Sequence, residues 1–503
     1  MSVFRTRSRA ALAVLAVLAL VAVAGCGRET APEGEPAAGT GAAAEFGATI
    51  AERIDTEALL THLRNFQDIA DAHGGNRASG TPGYDASVDY VANALREKGF
   101  EVSIPEFEVR VFSAEPGTVT HGDATLVARA LQYSVGTAPD GLTAPLVPAR
   151  VSEAPGCAKP DFDDLPIAGA IVLVDRGVCP FTQKVAHAVA AGAVGVVIAN
   201  NVDEEKMGGT LGEKNEVQVP VVSVGKDDGA RLRANPGPVT VRVTAETRQH
   251  TGRNVIAQTT TGDTDNVVMA GAHLDSVPEG PGINDNASGV AGVLEAALQL
   301  GSAPPVRNAV RFAFWGAEEL GLVGSQRYVE SLDLEELTAI AMYLNFDMIG
   351  SPNPGYFTYD GNQSAPRGRN DRSPWVPEGS AGIERELTAY LDAAGKPGQD
   401  TLFDGRSDYD AFTLAGVPSG GLFTGGEANM TDEQSELWGG RAGEPFDPNY
   451  HKPEDNIDNV DATALGIHGA GVGFIVGRYA QDLSGRNGVP VPEDRTRHVL
   501  TGS

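Results

Sequence analysis

The residues best suited to chemistry follow apolar runs that have the composition of buried strands. The run 267–270 leads to a His-Leu-Asp motif, 312–315 leads to a Glu-Glu pair, and 343–346 leads to an aspartate. The polar residues after these runs are His273, Asp275, Glu318, Glu319 and Asp347. In open α/β sheets the carboxyl ends of the strands form the edge where ligand sites are built. The pattern therefore predicts that these side chains share one site.

Two more stretches carry residues of the same kind. Asp285 lies twelve residues after His273 in a glycine-framed turn, and Tyr450-His451 lies on a loop rich in Gly and Pro. His, Asp and Glu are ligands that suit zinc, and five of them can hold two ions that share one carboxylate. A single such residue at a strand end can equally be a solvated side chain or a helix cap. The repetition over three strands favours the metal site.

The motifs around these residues resemble those of the dinuclear zinc aminopeptidases of metallopeptidase family 28. They lie between about residues 250 and 470, in the order and at the spacing of that family. The motifs are Gly271-Ala-His-Leu-Asp-Ser276, Gly282-Ile-Asn-Asp285, Trp315-Gly-Ala-Glu-Glu-Leu-Gly321, Asn345-Phe-Asp-Met-Ile-Gly350, Gly405-Arg-Ser-Asp408 and Tyr450-His451. The resemblance implies an α/β fold: a mixed, mostly parallel sheet sandwiched by helices, with a smaller β-rich domain inserted.

The resemblance also implies how two zinc ions would be bound. One ion would lie on His273 and Asp347, the other on Glu319 and His451, and Asp285 would bridge them. Two dications about 4 Å apart repel each other, so a ligand set rich in carboxylates is needed to offset their charge.

Further implied roles concern residues beside the ligands. Asp275 matches an acid that fixes the tautomer of His273. Glu318 matches a general base, and Tyr450 matches a phenol that hydrogen-bonds the oxyanion. Asn286 stands where the family has a cis peptide.

Four residues resemble parts of a substrate cleft. Arg406 and Asp408 match the segment that holds the substrate terminus, and Met348 and Phe423 match the lining of an apolar pocket. Met348 and Phe423 can also be ordinary packing residues, because apolar side chains usually only pack. The implied reaction removes N-terminal residues, preferably large apolar ones, from peptides with a free N-terminus.

The first 26 residues have the features of an export signal. Three arginines precede the unbroken apolar run 10–24, and Gly25-Cys26 follows it. This is typical of a signal peptide, and 23–26 resembles a bacterial lipobox in which Cys26 would be lipidated after cleavage. A plain signal peptide with Cys26 close to the cut is the alternative. Residues 27–48 are mostly Ala, Gly, Glu and Pro, which predicts a flexible tether.

Between about residues 125 and 245 short β-rich runs replace the α/β pattern. The motifs Arg-Gly-x-Cys-x-Phe at 176–181 and Ala-Gly-Ala-x-Gly at 191–195 resemble a protease-associated (PA) domain. The resemblance implies that the insert carries no catalytic residue and that it gates or extends the substrate cleft, or only adds stability. Cys157 and Cys179 lie in it, and in an exported domain we expect them to pair rather than remain two free thiols. We therefore expect a discontinuous peptidase domain over 49–124 and 246–486, the insert over 125–245, and a tail over 487–503.

The overall charge limits the partners. A formal net charge of −29 argues against nucleic-acid binding. The expected partners are peptides, with membrane contact only through a lipid anchor, and the expected state is a monomer on the extracellular face of the membrane or secreted. A non-catalytic receptor that retains the peptidase fold and a single-zinc cyclase are alternative functions. The intact set of five ligands, base and phenol favours the aminopeptidase.

Overall fold

The computed structural model describes residues 38–203, 207–365, 375–484 and 488–501. The helices are α1 (Ala38–Ala51), α2 (Thr56–Ala72), α3 (Pro82–Glu97), α4 (Phe181–Ala190), α5 (Lys226–Ala234), α6 (Gly289–Leu300), α7 (Val323–Ser331), α8 (Leu334–Ala339), α9 (Ser380–Ala393), α10 (Tyr409–Leu414), α11 (Asp432–Trp438) and α12 (Ala462–Gln481). Within the described ranges, none of the helices has both the length and the apolar character needed to span a bilayer.

The strands are β1 (Glu101–Ser103), β2 (Glu106–Ala114), β3 (Gly117–His121), β4 (Ala124–Ala130), β5 (Leu142–Pro148), β6 (Ile171–Asp175), β7 (Gly195–Ala199), β8 (Val221–Val224), β9 (Pro238–Arg242), β10 (Ala245–Arg253), β11 (Val255–Gln258), β12 (Asp263–His273), β13 (Asn308–Trp315), β14 (Ile340–Phe346), β15 (Phe357–Tyr359), β16 (Gln399–Thr401) and β17 (Ser419–Phe423).

The main sheet has eight strands in the order β1-β11-β13-β12-β14-β17-β15-β16. Its centre, β13-β12-β14-β17, is parallel, and antiparallel pairs flank it. The apolar runs found in the sequence form these central strands, because a strand covered on both faces needs a continuous apolar run. His273 at the end of β12 pairs in register with Trp315 at the end of β13. The expected α/β fold with a mixed, mostly parallel sheet is confirmed.

Helices cover both faces of the sheet. Helices α2, α3, α6, α9 and α12 pack on one face, and α7, α8 and α10 pack on the other. In α2 the cap Asp55 accepts a hydrogen bond from the Glu57 amide, and Leu59, Leu63 and Phe66 are buried at helical spacing. The layers leave the carboxyl edge of the central strands for the loops that carry the polar motifs.

The inserted domain is a closed barrel in the strand order β3-β4-β8-β7-β6-β5-β9. Strands β2 and β10 pair as an antiparallel ribbon just outside the barrel in sequence. The expected boundary between residues 124 and 125 is wrong, because β3 pairs with β4 and β9 and so belongs to the barrel. The expected disulfide between Cys157 and Cys179 is confirmed.

Helix α1 corrects the prediction for residues 27–48. The flexible tether is wrong from Ala38 onward, because α1 begins there and packs on α12. Ile50 of α1 is 1 % exposed, and a Cβ atom at Gly47 would lie 2.5 Å from the Phe474 carbonyl oxygen. Glycine therefore permits the close approach of the two helices. Residues 27–37 and the expected lipidation site Cys26 lie outside the described residues.

The C-terminal segment 488–501 packs against the peptidase domain instead of extending from it. Arg495 donates to the Thr338 carbonyl at 2.7 Å, and Arg497 donates to the Ile340 carbonyl at 2.9 Å. Both arginines are buried. The described part of the expected tail therefore contributes to the folded domain.

Candidate active site

Five side chains form two groups that share one aspartate. His273 Nε2 lies 3.1 Å from Asp285 Oδ1 and 3.3 Å from Asp347 Oδ1. His451 Nε2 lies 3.3 Å from Asp285 Oδ2 and 3.0 Å from Glu319 Oε2. The two oxygens of Asp285 thus face different groups. The structure brings together all five residues that the sequence suggested as metal ligands.

These distances fit zinc. Two atoms that each lie 2.0–2.1 Å from a tetrahedral zinc ion are about 3.4 Å apart, which is close to the separations within both groups. Glu319 Oε1 and Asp347 Oδ1 are buried and have no hydrogen-bond partner within the described part of the chain. Buried polar atoms are rarely left without a partner. A cation in each group would satisfy them.

The turn that carries Asp285 is irregular and fully packed. The Asp285–Asn286 peptide is cis, as the resemblance implied. Asn286 accepts hydrogen bonds from the amides of Gly289 and Met348 and donates to the Phe346 carbonyl. The Asn286 side chain therefore fixes the Asp285 turn to the loop that follows β14.

Three residues at the site have a left-handed backbone. Their φ angles are 57° for Ala317, 59° for Met348 and 56° for His451. Each such residue costs on the order of 1–3 kcal/mol when it is not glycine, and such residues concentrate at functional sites. The surrounding contacts must stabilise this conformation; Met348, for example, accepts hydrogen bonds through its carbonyl from the Thr424 amide and hydroxyl.

Asp275 lies where the sequence predicted, but it contacts His273 differently. His273 Nδ1 is 3.1 Å from the main-chain carbonyl of Asp275 and 3.8 Å from its carboxylate. Because a carbonyl only accepts, Nδ1 must carry the proton and Nε2 is free to bind a metal. The Asp275 carboxylate instead accepts the Glu318 amide at 3.1 Å. Asp275 thus connects the strand ends that carry His273 and Glu318.

Glu318 and Glu319 are adjacent in sequence but face different surroundings. Glu319 points at His451, whereas Glu318 Oε2 is 3.9 Å from His273 Nε2 and pairs with no imidazole at short range. Burial raises the pKa of Glu318 well above its usual range. Burial and the Asp285 charge raise the pKa of Glu319 to about 7. This excess of buried negative charge is a second indication that the site is built for cations.

Tyr450 lies at the mouth of the site. Its ring stacks on the His451 ring, with centroids 3.8 Å apart. Its hydroxyl accepts a hydrogen bond from Arg406 Nη2 at 3.3 Å, and Arg406 Nη1 pairs with Glu427 at 2.7 Å. Burial, with the Asp285 charge, raises the pKa of Tyr450, so the phenol keeps its proton.

The cleft beside the ligands has a volume of about 230 Å³. Its lining includes the apolar residues Met348 and Phe423, which the sequence suggested, and Tyr359 and Leu402, which it did not. Arg406, Asp404 and Glu427 also line it. The cleft therefore combines an apolar part with an acidic one.

Asp408 and Ser407 correct the sequence-based picture. Asp408 is 1 % exposed and does not line the cleft, so its position does not support the expected contact with the substrate. Its neighbour Ser407 lines the cleft and donates to Asp347 Oδ2 at 2.5 Å, while Asn345 donates to Ser407. The sequence offered one signal for Ser407, its place in the Gly405-Arg-Ser-Asp408 motif.

Two imidazole–carboxylate groups that share an aspartate, at the carboxyl edge of an α/β sheet, are the arrangement of a metal-dependent hydrolase. The family model of Peptidase family M28 matches residues 254–476, and the PA domain model matches residues 142–232. The chain belongs to peptidase family M28 and carries a PA domain as its insert. The predicted family and the predicted class of enzyme are confirmed.

Named relatives extend along most of the chain. The probable lipoprotein aminopeptidase LpqL of Mycobacterium tuberculosis is 62% identical over 496 residues, covering 98% of this chain and 99% of that protein. An aminopeptidase of Pseudomonas aeruginosa is 43% identical over 433 residues, covering 83% and 79%. Among solved structures, the aminopeptidase from Aneurinibacillus sp. strain AM-1 has a TM-score of 0.60 at 27% identity, covering 86% of this chain and 95% of that one. BSAP, a zinc aminopeptidase from Bacillus subtilis, has a TM-score of 0.51 at 26% identity, covering 86% and 97%.

Proposed function

We propose that this M28 peptidase is an exported aminopeptidase with two zinc ions per chain, which removes large apolar residues from the N-terminus of peptides. The observation that carries the proposal is the position of Asp285, whose two oxygens face two separate imidazole–carboxylate pairs. His273 and Asp347 would hold one ion, Glu319 and His451 the other, and Asp285 would bridge. If Asp285 bound only one ion, the second imidazole–carboxylate pair beside it would have no ion to bind.

When bound, the two ions would supply the Lewis acidity that activates a water molecule and polarises the scissile carbonyl. Glu318 then serves as the general base in this proposal. Glu318 lies in the cleft beside the ligands, and a carboxylate in that position can accept a proton from water. The proton that Glu318 takes from water would pass to the leaving amine.

Tyr450 would stabilise the oxyanion. Its hydroxyl accepts a hydrogen bond from Arg406, so its own proton is directed elsewhere and is available to the substrate. A neutral donor that is fixed in place before the reaction is effective at a developing negative charge.

Charge and shape of the cleft support the proposed substrate class. The free N-terminus of a peptide is cationic, and the carboxylates of Asp404 and Glu427 line the cleft. Met348 and Phe423 form its apolar part, which suits a large apolar side chain.

We also propose that the enzyme is attached to the outer face of the membrane through a lipid on Cys26. The support is the lipobox-like sequence at 23–26 and the name of the mycobacterial relative, a probable lipoprotein aminopeptidase.

Metal analysis combined with a pair of matched substrates tests the proposed activity. The protein without its signal peptide should contain two zinc ions and hydrolyse leucine p-nitroanilide. It should not hydrolyse N-acetyl-leucine p-nitroanilide, which lacks the free amine. A chelator should abolish hydrolysis, and added zinc should restore it. Active protein with a single zinc ion would overturn the dinuclear site, and cleavage of the acetylated substrate would overturn the aminopeptidase assignment.

A further inference from the structure

The turn that carries the bridging residue Asp285 is held from one side by a buried cation. Arg77 is 0 % exposed and donates through Nε to the Pro281 carbonyl at 2.9 Å and through Nη2 to the Gly282 carbonyl at 2.7 Å. Its third donor, Nη1, reaches the Leu274 carbonyl at 2.5 Å. Arg77 thus binds the carbonyl groups at the start of this turn.

A buried anion holds the next part of the same turn. Asp455 is 3 % exposed, and its two carboxylate oxygens accept the amides of Asn284 at 2.7 Å and Asp285 at 3.0 Å. Its main-chain carbonyl accepts the Ile283 amide at 3.1 Å. Two successive amides that point at one side chain require two acceptor oxygens without a hydrogen, and only a carboxylate provides them.

Asp455 lies on the loop that carries His451, four residues further along the chain. This loop is in backbone contact with the segment that leads into the Asp285 turn. A Cβ atom at Gly280 of that segment would lie 2.3 Å from the Lys452 carbonyl oxygen. The Asp455 amide also donates to that carbonyl at 3.0 Å. Asp455 therefore joins the segment of the bridging ligand to the segment of His451.

His451 depends on such a contact more than the other ligands do. Its side chain is 38% exposed, whereas the side chains of His273, Asp285, Glu319 and Asp347 are 1%, 6%, 7% and 14% exposed. It does not lie at the end of a strand, and its backbone is in the left-handed region. Packing alone fixes the other four better than it fixes His451.

The geometry points to Asp455 as the positioning residue of the second metal position: by accepting the Asn284 and Asp285 amides it sets His451 at the correct distance from the bridging carboxylate. This inference rests on the proposed two-zinc function, and it concerns the two segments that carry Asp285 and His451. Asp455 holds Asp285 through its main-chain amide, so it acts through the position of the backbone. Loss of a supporting residue of this kind typically lowers metal affinity by about 10–100-fold.

The test is Asp455→Asn, with Asp458→Asn as the matched control. The substituted amide keeps one acceptor oxygen and turns an N–H₂ group toward the second amide, so one hydrogen bond becomes a donor–donor contact. The control makes the same change three residues away on an exposed side chain. Zinc binding is measured in graded zinc buffers, and hydrogen exchange of residues 282–289 is measured in zinc-free protein.

In Asp455→Asn we expect the dissociation constant of one zinc ion to rise by about 10–100-fold, while that of the other stays near the wild-type value. Hydrogen exchange over 282–289 should become faster, and Asp458→Asn should match wild type in both measurements. Two unchanged constants with unchanged exchange, or an equal loss at both positions, would overturn the inference. Wild-type protein that binds fewer than two zinc ions would instead overturn the proposed function.

A second variant covers the case in which Asp455→Asn does not fold. Asp447 lies on the same loop, and its carboxylate accepts the Asn284 side-chain amide at 2.6 Å. Asp447→Asn should therefore also weaken one zinc constant selectively, and equal effects on both would again contradict the positioning role.

Discussion

His468 of α12 should make the fold sensitive to mild acid. The residue is 0 % exposed, and its ring stacks on Tyr356 with centroids 5.1 Å apart. Nδ1 donates to the Ala464 carbonyl at 2.9 Å, while Nε2 is buried without a hydrogen-bond partner among the described residues. Protonation of Nε2 would place an unpaired charge inside the helical layer, which is costly.

The sign and size of the effect follow from the pKa. Burial lowers the pKa of His468 from 6.5 to about 4. Between these values the unfolded chain binds the proton more readily than the folded one. The free energy of unfolding is therefore unaffected by protonation of His468 above pH 6.5, and it decreases as the pH falls from 6.5 toward 4. A shift of this size corresponds to about 3.4 kcal/mol in total, of which about 2 kcal/mol is lost between pH 7 and pH 5.

Urea unfolding of zinc-free protein at pH 7 and at pH 5 measures this loss, with His468→Leu as the variant and the exposed His498→Leu as the control. Zinc is removed because its ligands also bind protons. Relative to wild type, His468→Leu should gain about 2 kcal/mol in its free energy of unfolding on passing from pH 7 to pH 5. His498→Leu should not. Parallel pH dependences for His468→Leu and wild type would refute the reasoning.

Four other substitutions have distinct expected outcomes. Glu318→Gln should retain both zinc ions and lose about 10²–10⁴-fold in kcat. Glu319→Gln should instead lose zinc and regain part of its activity when zinc is added. Normal turnover by the Glu318→Gln enzyme would contradict the assignment of Glu318 as the general base. In a fractionation assay, the Cys26→Ser protein should be released from membranes while the wild-type protein stays bound. Wild-type protein found in the released fraction would contradict the lipid anchor. Arg497→Met should lower the free energy of unfolding by about 1–3 kcal/mol, because it removes the hydrogen bonds that the buried guanidinium donates to the Leu337 and Ile340 carbonyls. An unchanged urea midpoint would contradict this.

The central strands and the candidate metal ligands could be predicted from the sequence because one local pattern encodes both. An apolar run that ends in a ligand residue specifies a strand covered on both faces and places the ligand at its carboxyl end. Parallel pairing then brings His273 and Asp347 within 3.3 Å of each other. This reasoning needs the strands to be parallel, and the resemblance implied a mostly parallel sheet.

Other features depend on contacts between distant segments, and these have no local pattern. Asp455 looks like any acidic loop residue until its oxygens are seen to face the amides of Asn284 and Asp285. Asp408 belongs to a motif of the cleft, but packing turns it away from the cleft. The start of the barrel at β3 is set by pairing with β9, more than 100 residues later in the chain.

Helix α1 was missed for a related reason. Its sequence is mostly Ala, Gly and Thr, a composition that predicts a tether when it is read alone. Gly473 and Gly477 of α12 provide the complementary surface: a Cβ atom at Gly477 would lie 3.0 Å from the Gly47 Cα atom, and one at Gly473 would lie 3.3 Å from Ile50. Small residues on both helices allow close packing, which stabilises α1 more than its own composition suggests.

The docking of α1 also sets how far the enzyme can move if Cys26 carries a lipid. Eleven residues, 27–37, lie between Cys26 and Ala38, and the twelve steps from one Cα atom to the next across them span at most about 43 Å. A tether that extended to residue 48 would reach about 80 Å and let the enzyme explore a volume roughly sixfold larger. With that anchor, the shorter reach would confine catalysis to a thin layer above the bilayer and would raise the effective concentration of the enzyme toward peptides held at that surface. Disrupting the α1–α12 contact would change which peptides are encountered while leaving the chemistry at the zinc site unchanged.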